Sequence, residues 1–290
     1  MTMRNLFLIV LAFVSLFSYS QKMTFYPDKF ETVNKAYVRK YMGSSQNTIY
    51  YVEFVRGDIM QIGSKDIFYV TTFDCDNLTF NRVKIKYENN INEFYNAFMG
   101  GNDEAVLFAR ITKKGPKKNA IAAIKLDNNL NVTSSKVLYE SDKDIEGEKL
   151  IVSSGQKYFA VLTPGLKAIY DFNFLQIKED KTAGNPIAKP CLTDEGVLYY
   201  LAVKNESLFL CCLSNAKENQ SKELKVEEGT IDVFIKVNPG TGNIHYIESF
   251  GESESKVKSY LGNTQNKNYL KSIRHTIFDK DMNAGKQEDI

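Results

Sequence analysis

The stretch Glu148–Asp180, EKLIVSSGQKYFAVLTPGLKAIYDFNFLQIKED, decides the fold. It divides into four runs, Glu148–Ser153, Lys157–Leu162, Leu166–Asp171 and Leu175–Asp180. Ser-Gly-Gln, Thr-Pro-Gly and the Asp171-Phe172-Asn173-Phe174 corner separate them. Each run has the length of a β-strand, and Gly, Pro, Asn and Asp are the residues of tight turns. The second and third runs are almost wholly apolar, whereas the fourth mixes apolar and charged residues. Such a profile fits inner and middle strands buried on both faces and an outer strand that meets water.

The same four-run layout recurs on both sides. Asn92–Phe98, Ala105–Thr112, Ala120–Leu126 and Thr133–Tyr139 form one unit, and Ile187–Leu192, Val197–Val203, Leu208–Leu213 and Glu223–Val226 another. An aromatic or Leu followed by an Asp-x-Asp/Asn turn marks Asp74, Asp127, Asp171 and Asp279, with Ser214 and Asn238 as degenerate members. From 127 to 171 is 44 residues and from 74 to 127 is 53, so the period is loose. Units of this size built from four strands point to an all-β chain, a β-propeller of about five irregular blades, with a β-sandwich as the alternative. Helical periodicity is confined to Asp28–Arg39 and Ser253–Tyr260. Because the chain stops soon after the Asp279 turn, the last blade is expected to lack a strand. The N-terminal segment would supply it, or the domain is incomplete at its C-terminus.

Residues 1–20 read as an address. Arg4 precedes an apolar run, Leu6–Phe17, and Ser18-Tyr19-Ser20 supplies small residues for cleavage after Ser20. Charge, apolar core and small residues in that order make a secretory signal peptide, and the run is too short to span a bilayer. The mature chain is then 21–290, one propeller-like domain, secreted or periplasmic, with no transmembrane helix. Net charge is +2 for the whole chain, and losing Arg4 leaves 36 basic against 35 acidic residues. A nearly neutral surface offers nucleic acid no electrostatic footprint.

Candidate chemistry is sparse. Asp279, Asp281 and Asn283 place oxygen ligands at alternating positions, as a calcium loop begins. The glycine then falls one position late at Gly285, and Ile290 stands where a bidentate Glu belongs. Turn chemistry is therefore the preferred reading, calcium the alternative, and no other cofactor is indicated. His245 and His275 are the only imidazoles and read as single histidines on separate strands. No paired Cys motif or nucleophile elbow accompanies them, so no catalytic residue is assigned. Cys211 and Cys212 are adjacent on a strand and point to opposite faces; Cys75 and Cys191 stand apart, and a Cys191 disulfide to one of the pair is sterically open. Lys113-Lys114-Gly115-Pro116-Lys117-Lys118 reads as a solvated hairpin tip.

With no Trp in the chain and a single Gly100-Gly101 pair, the marks of sialidase-type, WD40, tryptophan-docking and kelch blades are missing. What remains resembles the general plan of secreted bacterial β-propeller repeat proteins over most of 45–285. That resemblance implies a fold and brings no functional residues with it. The role it suggests is binding or scaffolding at the cell envelope, with protein or glycan as partner and no catalysis. The alternative is a hydrolase of glycan or peptide with acidic residues in a central funnel. Mass spectrometry of the exported protein should find Gln21, free or cyclised, at the N-terminus; an intact Met1 would contradict the export reading.

Overall fold

The computed structural model describes residues 36–45, 47–55, 67–99, 104–113, 118–145, 148–182, 184–258 and 264–290. Residues 1–20, read above as a signal peptide, and Asp28–Lys35, Gly100-Gly101 and Lys114–Lys117 lie outside the described residues. No helix occurs among the described residues, and so none long and apolar enough to cross a membrane.

Five four-stranded antiparallel sheets follow one another along the chain. The first holds β1 (Ala36–Ser45), β2 (Thr48–Val55), β3 (Ile67–Asp74) and β4 (Thr79–Lys84). The second holds β5 (Asn90–Met99), β6 (Ala105–Thr112), β7 (Asn119–Leu126) and β8 (Val132–Ser141). The third holds β9 (Lys149–Val152), β10 (Tyr158–Leu162), β11 (Lys167–Asp171) and β12 (Gln176–Asp180). The fourth holds β13 (Asn185–Leu192), β14 (Val197–Lys204), β15 (Ser207–Ser214) and β16 (Gln220–Leu224). The fifth holds β17 (Thr230–Val237), β18 (Ile244–Lys258), β19 (Thr264–Phe278) and β20 (Ala284–Asp289). Every strand pairs with its sequence neighbour, and first strands of adjacent sheets lie together: β1 beside β5, β9 beside β13, β13 beside β17. The sheets are blades of a propeller with their first strands innermost.

Side-chain alternation explains the stacking. On β10, Phe159 and Val161 enter the core shared with the second blade, while Ala160 and Leu162 enter the core shared with the fourth. On β6, Val106 and Phe108 face the third blade, and Ala105, Leu107, Ala109 and Ile111 face the first. On β15, Cys211 and Leu213 face the third blade and Leu208, Leu210 and Cys212 the fifth. The opposed faces expected of Cys211 and Cys212 are thus realised, in two different interfaces. All four cysteines are free thiols.

The Asp turns occupy one position in the blade, the hairpin from third to fourth strand. In three of them the geometry is the same. Asp127, Asp171 and Asp279 each accept two backbone N–H bonds on Oδ1, from residues two and four further on. The residue three further on is Leu130, Phe174 or Met282, at φ of 64°, 64° and 62°. Glycine normally fills this left-handed corner of a three-residue hairpin loop; Gly196 (φ 74°) does so in the β13–β14 hairpin. Here an apolar side chain accepts the strain because the corner aims it into the core shared with the preceding blade. The first blade's loop is one residue longer, and its Leu78 (φ 52°) is 69% exposed.

Several expectations need correction. Ala36–Arg39 and Ser253–Lys258, read as helical, belong to β1 and β18, where ladders to β2 and β19 override local periodicity. The fifth blade lacks no strand: β20 completes it from the chain's own C-terminal residues. The fourth blade's outer strand lies at Gln220–Leu224 rather than Glu223–Val226, since an exposed polar strand carries little apolar signal. Asn238 belongs to the β17–β18 hairpin, a different corner of the blade, whereas Ser214 sits in the expected one.

Burial and strain set the two kinds of corner apart. Phe174→Gly should cost about 3 kcal/mol, loss of a buried ring outweighing relief of the left-handed backbone. Leu78→Gly should be neutral or stabilising by up to about 1 kcal/mol. Urea unfolding midpoints check this; equal shifts for both variants would contradict the plug reading of Phe174.

Candidate functional site

Three arginines organise the polar clusters. In the first blade Arg82 on β4 pairs with Glu53 on β2 at 2.5 Å, and Thr71 donates its hydroxyl to the same carboxylate oxygen at 2.9 Å. Between the second and third blades Arg110 on β6 donates Nε–H to Tyr95 Oη at 2.6 Å. Its terminal N–H groups reach the Ile145 carbonyl at 2.7 Å and Glu148 at 3.0 Å. Burial and the hydroxyl's bond to Glu148 push the Tyr95 phenol up. Bonds from Tyr95, its own backbone and Arg110 outweigh burial and hold Glu148 below the usual carboxylate range. In the fifth blade Arg274 on β19 pairs with Glu227 and with Asp289, the latter at 2.7 Å, and lies over Phe250. The first two clusters spend their lone pairs internally, so they pin strands together.

Glu248 is different. It sits on β18 beside Tyr246, both 3% exposed on the face toward the fourth blade. Glu248 Oε1 and Tyr246 Oη are buried without a partner of hydrogen-bonding geometry, although the two groups lie near enough to perturb each other. Burial pushes the Glu248 carboxyl up. Tyr246 and Arg274 pull against that, and Glu227 adds to it. A buried carboxyl of this kind favours its protonated form.

The opposite face of the fifth blade carries the two histidines. In the ladder Lys236 faces His245, His245 faces Ile277, Ile247 faces His275, and His275 faces Glu288. His245 Nδ1 and His275 Nε2 are 2.8 Å apart. The ring centroids are 5.0 Å apart with planes 13° from parallel. That centroid separation is about the N···N distance plus a ring radius on each side. The imidazoles therefore meet edge to edge in nearly one plane, joined by an N–H···N bond, rather than stacked face to face. Ile247, Ile273 and Ile277 flank them, half-buried, and Phe234 on β17 is 40% exposed. On the fourth-blade side, by contrast, Ile244, Tyr246, Thr276 and Phe278 are buried.

Sequence reading kept the histidines apart, and the structure brings them together. They are 30 residues distant, and only the register of the β18–β19 hairpin joins them. Reading Ser253–Tyr260 as helix hid that hairpin. Asp279, Asp281 and Asn283 do share one loop, β19–β20. Asp279 Oδ1 caps the turn, Oδ2 accepts from the Asn283 side-chain amide at 2.9 Å, and Asp281 pairs with Lys217. Of the basic cluster, Lys113 pairs with Glu140 at 2.6 Å and Lys118 with Asp142 at 3.3 Å.

The Glu248 carboxyl gives a signed pH dependence. Its folded pKa lies above the unfolded one, so its contribution favours the fold while it is protonated. That contribution fades as pH rises from the ordinary carboxylate range through the folded value. Glu248→Gln should raise the melting temperature at pH 7 and flatten its decline between pH 4 and 7. Equal melting curves for both proteins across that range would contradict the burial of an ionisable proton there.

No protein-family model matches the chain, and no curated protein matches it. Solved structures do. The Dos1 propeller superposes with a TM-score of 0.52 at 11% identity, over 87% of this chain and 59% of that one. The β-propeller domain of the Trilobed protease from Pyrococcus furiosus gives 0.42 at 13% identity, over 84% and 80%. A protein of unknown function from Bacteroides caccae gives 0.35 at 10%, over 86% and 92%. The chain thus spans 59% of the length of the Dos1 propeller chain it resembles. At such identities the likeness concerns the fold, and it agrees with the blades: the chain is built as a β-propeller.

Proposed function

We propose that this protein is an exported, non-catalytic propeller of the cell envelope that binds or scaffolds a protein or glycan partner. One observation carries the reading. β18 and β19 are each 15 residues long, against 8 for β17 and 6 for β20. Backbone bonding on the β17 side ends with Gly251 to Gly229 and on the β20 side with Ile273 to Ile290, yet the β18–β19 ladder continues from Glu252↔Tyr269 to Lys258↔Thr264. The outer part of this hairpin is a two-stranded arm beyond its own blade. A two-stranded ribbon that outruns its sheet presents main-chain donors and acceptors along its edges, the means by which a strand of a partner is added.

The hydrolase alternative would draw on acidic residues near the inner strands. Glu148, just before β9, is committed to Arg110 and Tyr95, while Glu93 on β5 and Asp232 on β17 are exposed, Asp232 accepting from the Val233 backbone N–H. A general acid or base needs a proton site free to exchange with substrate.

Replacing Glu252–Leu270 by an Asn-Gly turn tests the proposal. Far-UV circular dichroism and melting should be retained, and co-sedimentation with isolated envelopes should be lost. Binding by the wild type that disappears after protease treatment of the envelopes indicates a protein partner; binding that survives and is competed by soluble glycan indicates a glycan. Undiminished binding by the arm-less variant would overturn the arm's role. Release of sugars or peptides from envelopes by the purified protein would overturn the non-catalytic reading.

A further inference from the structure

We infer that His245 and His275 form a surface site for a divalent transition-metal ion of the copper(II) class. The inference rests on the imidazole pair and is independent of the β-arm.

The arginine clusters of the first and second blades and the Asp279 turn use their polar atoms internally. The imidazole pair keeps lone pairs within reach of solvent. Both rings are half-buried, on the face of the fifth blade that holds none of the chain's buried core residues among those described. As a structural bond the pair has little to do. β18 and β19 are already joined by a backbone ladder over most of their length, and the flanking positions are Ile247, Ile273 and Ile277. The rings stand in mixed rows, between Lys236 and Ile277 and between Ile247 and Glu288, and two imidazole nitrogens brought to one point can begin a metal site, histidine being the commonest metal ligand.

The separation selects the ion. Two nitrogens about 2.0 Å from a tetrahedral ion stand about 3.3 Å apart, and the pair would have to widen to admit one. On adjacent corners of a square-planar or tetragonal ion they stand about 2.8 Å apart, and the observed distance is 2.8 Å. Nitrogen and oxygen ligands in that geometry favour copper(II), then nickel(II), and copper(II) also heads the affinity order of first-row divalent ions. Binding requires both facing nitrogens as lone pairs. The ring that donates the bond must therefore move its proton to its other nitrogen, and each ring must swing so that the lone pairs meet beside the present bond axis. No proton is lost overall when both rings start neutral. Glu288 stands directly across the ladder from His275 as the nearest carboxylate in the row, its charge shared with Lys286. No cluster of three or more His, Cys, Asp or Glu side chains is close enough to hold a metal among the described residues. The protein thus supplies two nitrogens, and water completes the coordination, with the Glu288 charge near the site rather than on the ion.

The test uses untagged mature protein stripped with chelator. With only two histidines in the chain, its imidazole C2–H region should hold two signals by NMR. Substoichiometric copper(II) should broaden both together, with electron paramagnetic resonance showing coupling to two imidazole nitrogens. His245→Gln and His275→Gln should each weaken one-to-one copper uptake at least about 10-fold, with circular dichroism unchanged. Glu288→Gln should have a smaller effect. Broadening of one signal or neither, or equal copper affinity in the wild type and the double His→Gln variant, would overturn the site. Zinc binding as tight as copper binding would overturn the square-planar assignment.

Discussion

Burial of the middle strands on both faces is the constraint on which the molecule depends. A four-stranded sheet of this size has two faces and no core of its own. Each described interface is made by two blades, with Phe108 and Phe159 meeting between the second and third and Leu162 and Leu198 between the third and fourth. Removing one blade would strip a face from each neighbour, so stability is shared between nearest neighbours rather than held blade by blade. The interfaces are filled differently. Ala97, Ala105, Ala109, Ala120 and Ala122 contribute small side chains between the first and second blades, while Phe98, Phe108, Phe159, Tyr170 and Phe174 crowd the next. Aromatic bulk of this kind fills the wedge without tryptophan, which explains how a propeller can be built without the marks of the best-known blade families.

That constraint also accounts for the odd chemistry of the corners. A third-to-fourth hairpin normally takes glycine at its left-handed residue. Leu130, Phe174 and Met282 take it instead, because the corner overhangs the neighbouring blade and a buried side chain is worth more than the strain costs. The Asp that begins each of these turns is therefore half of a device, a cap for the loop backbone that fixes where the apolar plug points.

The fold was legible where both faces are buried. Largely apolar runs such as Ala105–Thr112 and Tyr158–Leu162, bounded by turn residues, read as strands at that length, and their boundaries were found within a residue or two. Legibility failed at the fifth blade. The Glu- and Lys-rich stretch from Ser253 carries no strand-like apolar signal, and only its ladder to β19 makes it a strand. The site failed for the same reason. His245 and His275 are polar residues within half-buried runs, and nothing local fixes the register that joins them. Glu248 was equally silent, because a lone Glu in a strand run reads as solvent-facing until its side of the sheet is known.

The end of the stack is where chemistry has room. Inside an interface a polar side chain must be satisfied by what is already there. Lys167, fully buried, donates to the Pro164 and Thr182 carbonyls at 3.1 and 2.7 Å, and burial pushes its ammonium down. Arg110 is closed off in the same way by Tyr95 and Glu148. On the outward face of the fifth blade the ladder still fixes each residue's position, but solvent can reach the side chain. Fixed position with open access is what a ligand-taking group needs, and the regular blades deny it to every middle strand that has a neighbour on both sides. The repeat that makes the fold stable thus confines exchangeable chemistry to loops, arms and the face of the fifth blade that holds no buried core residue among those described.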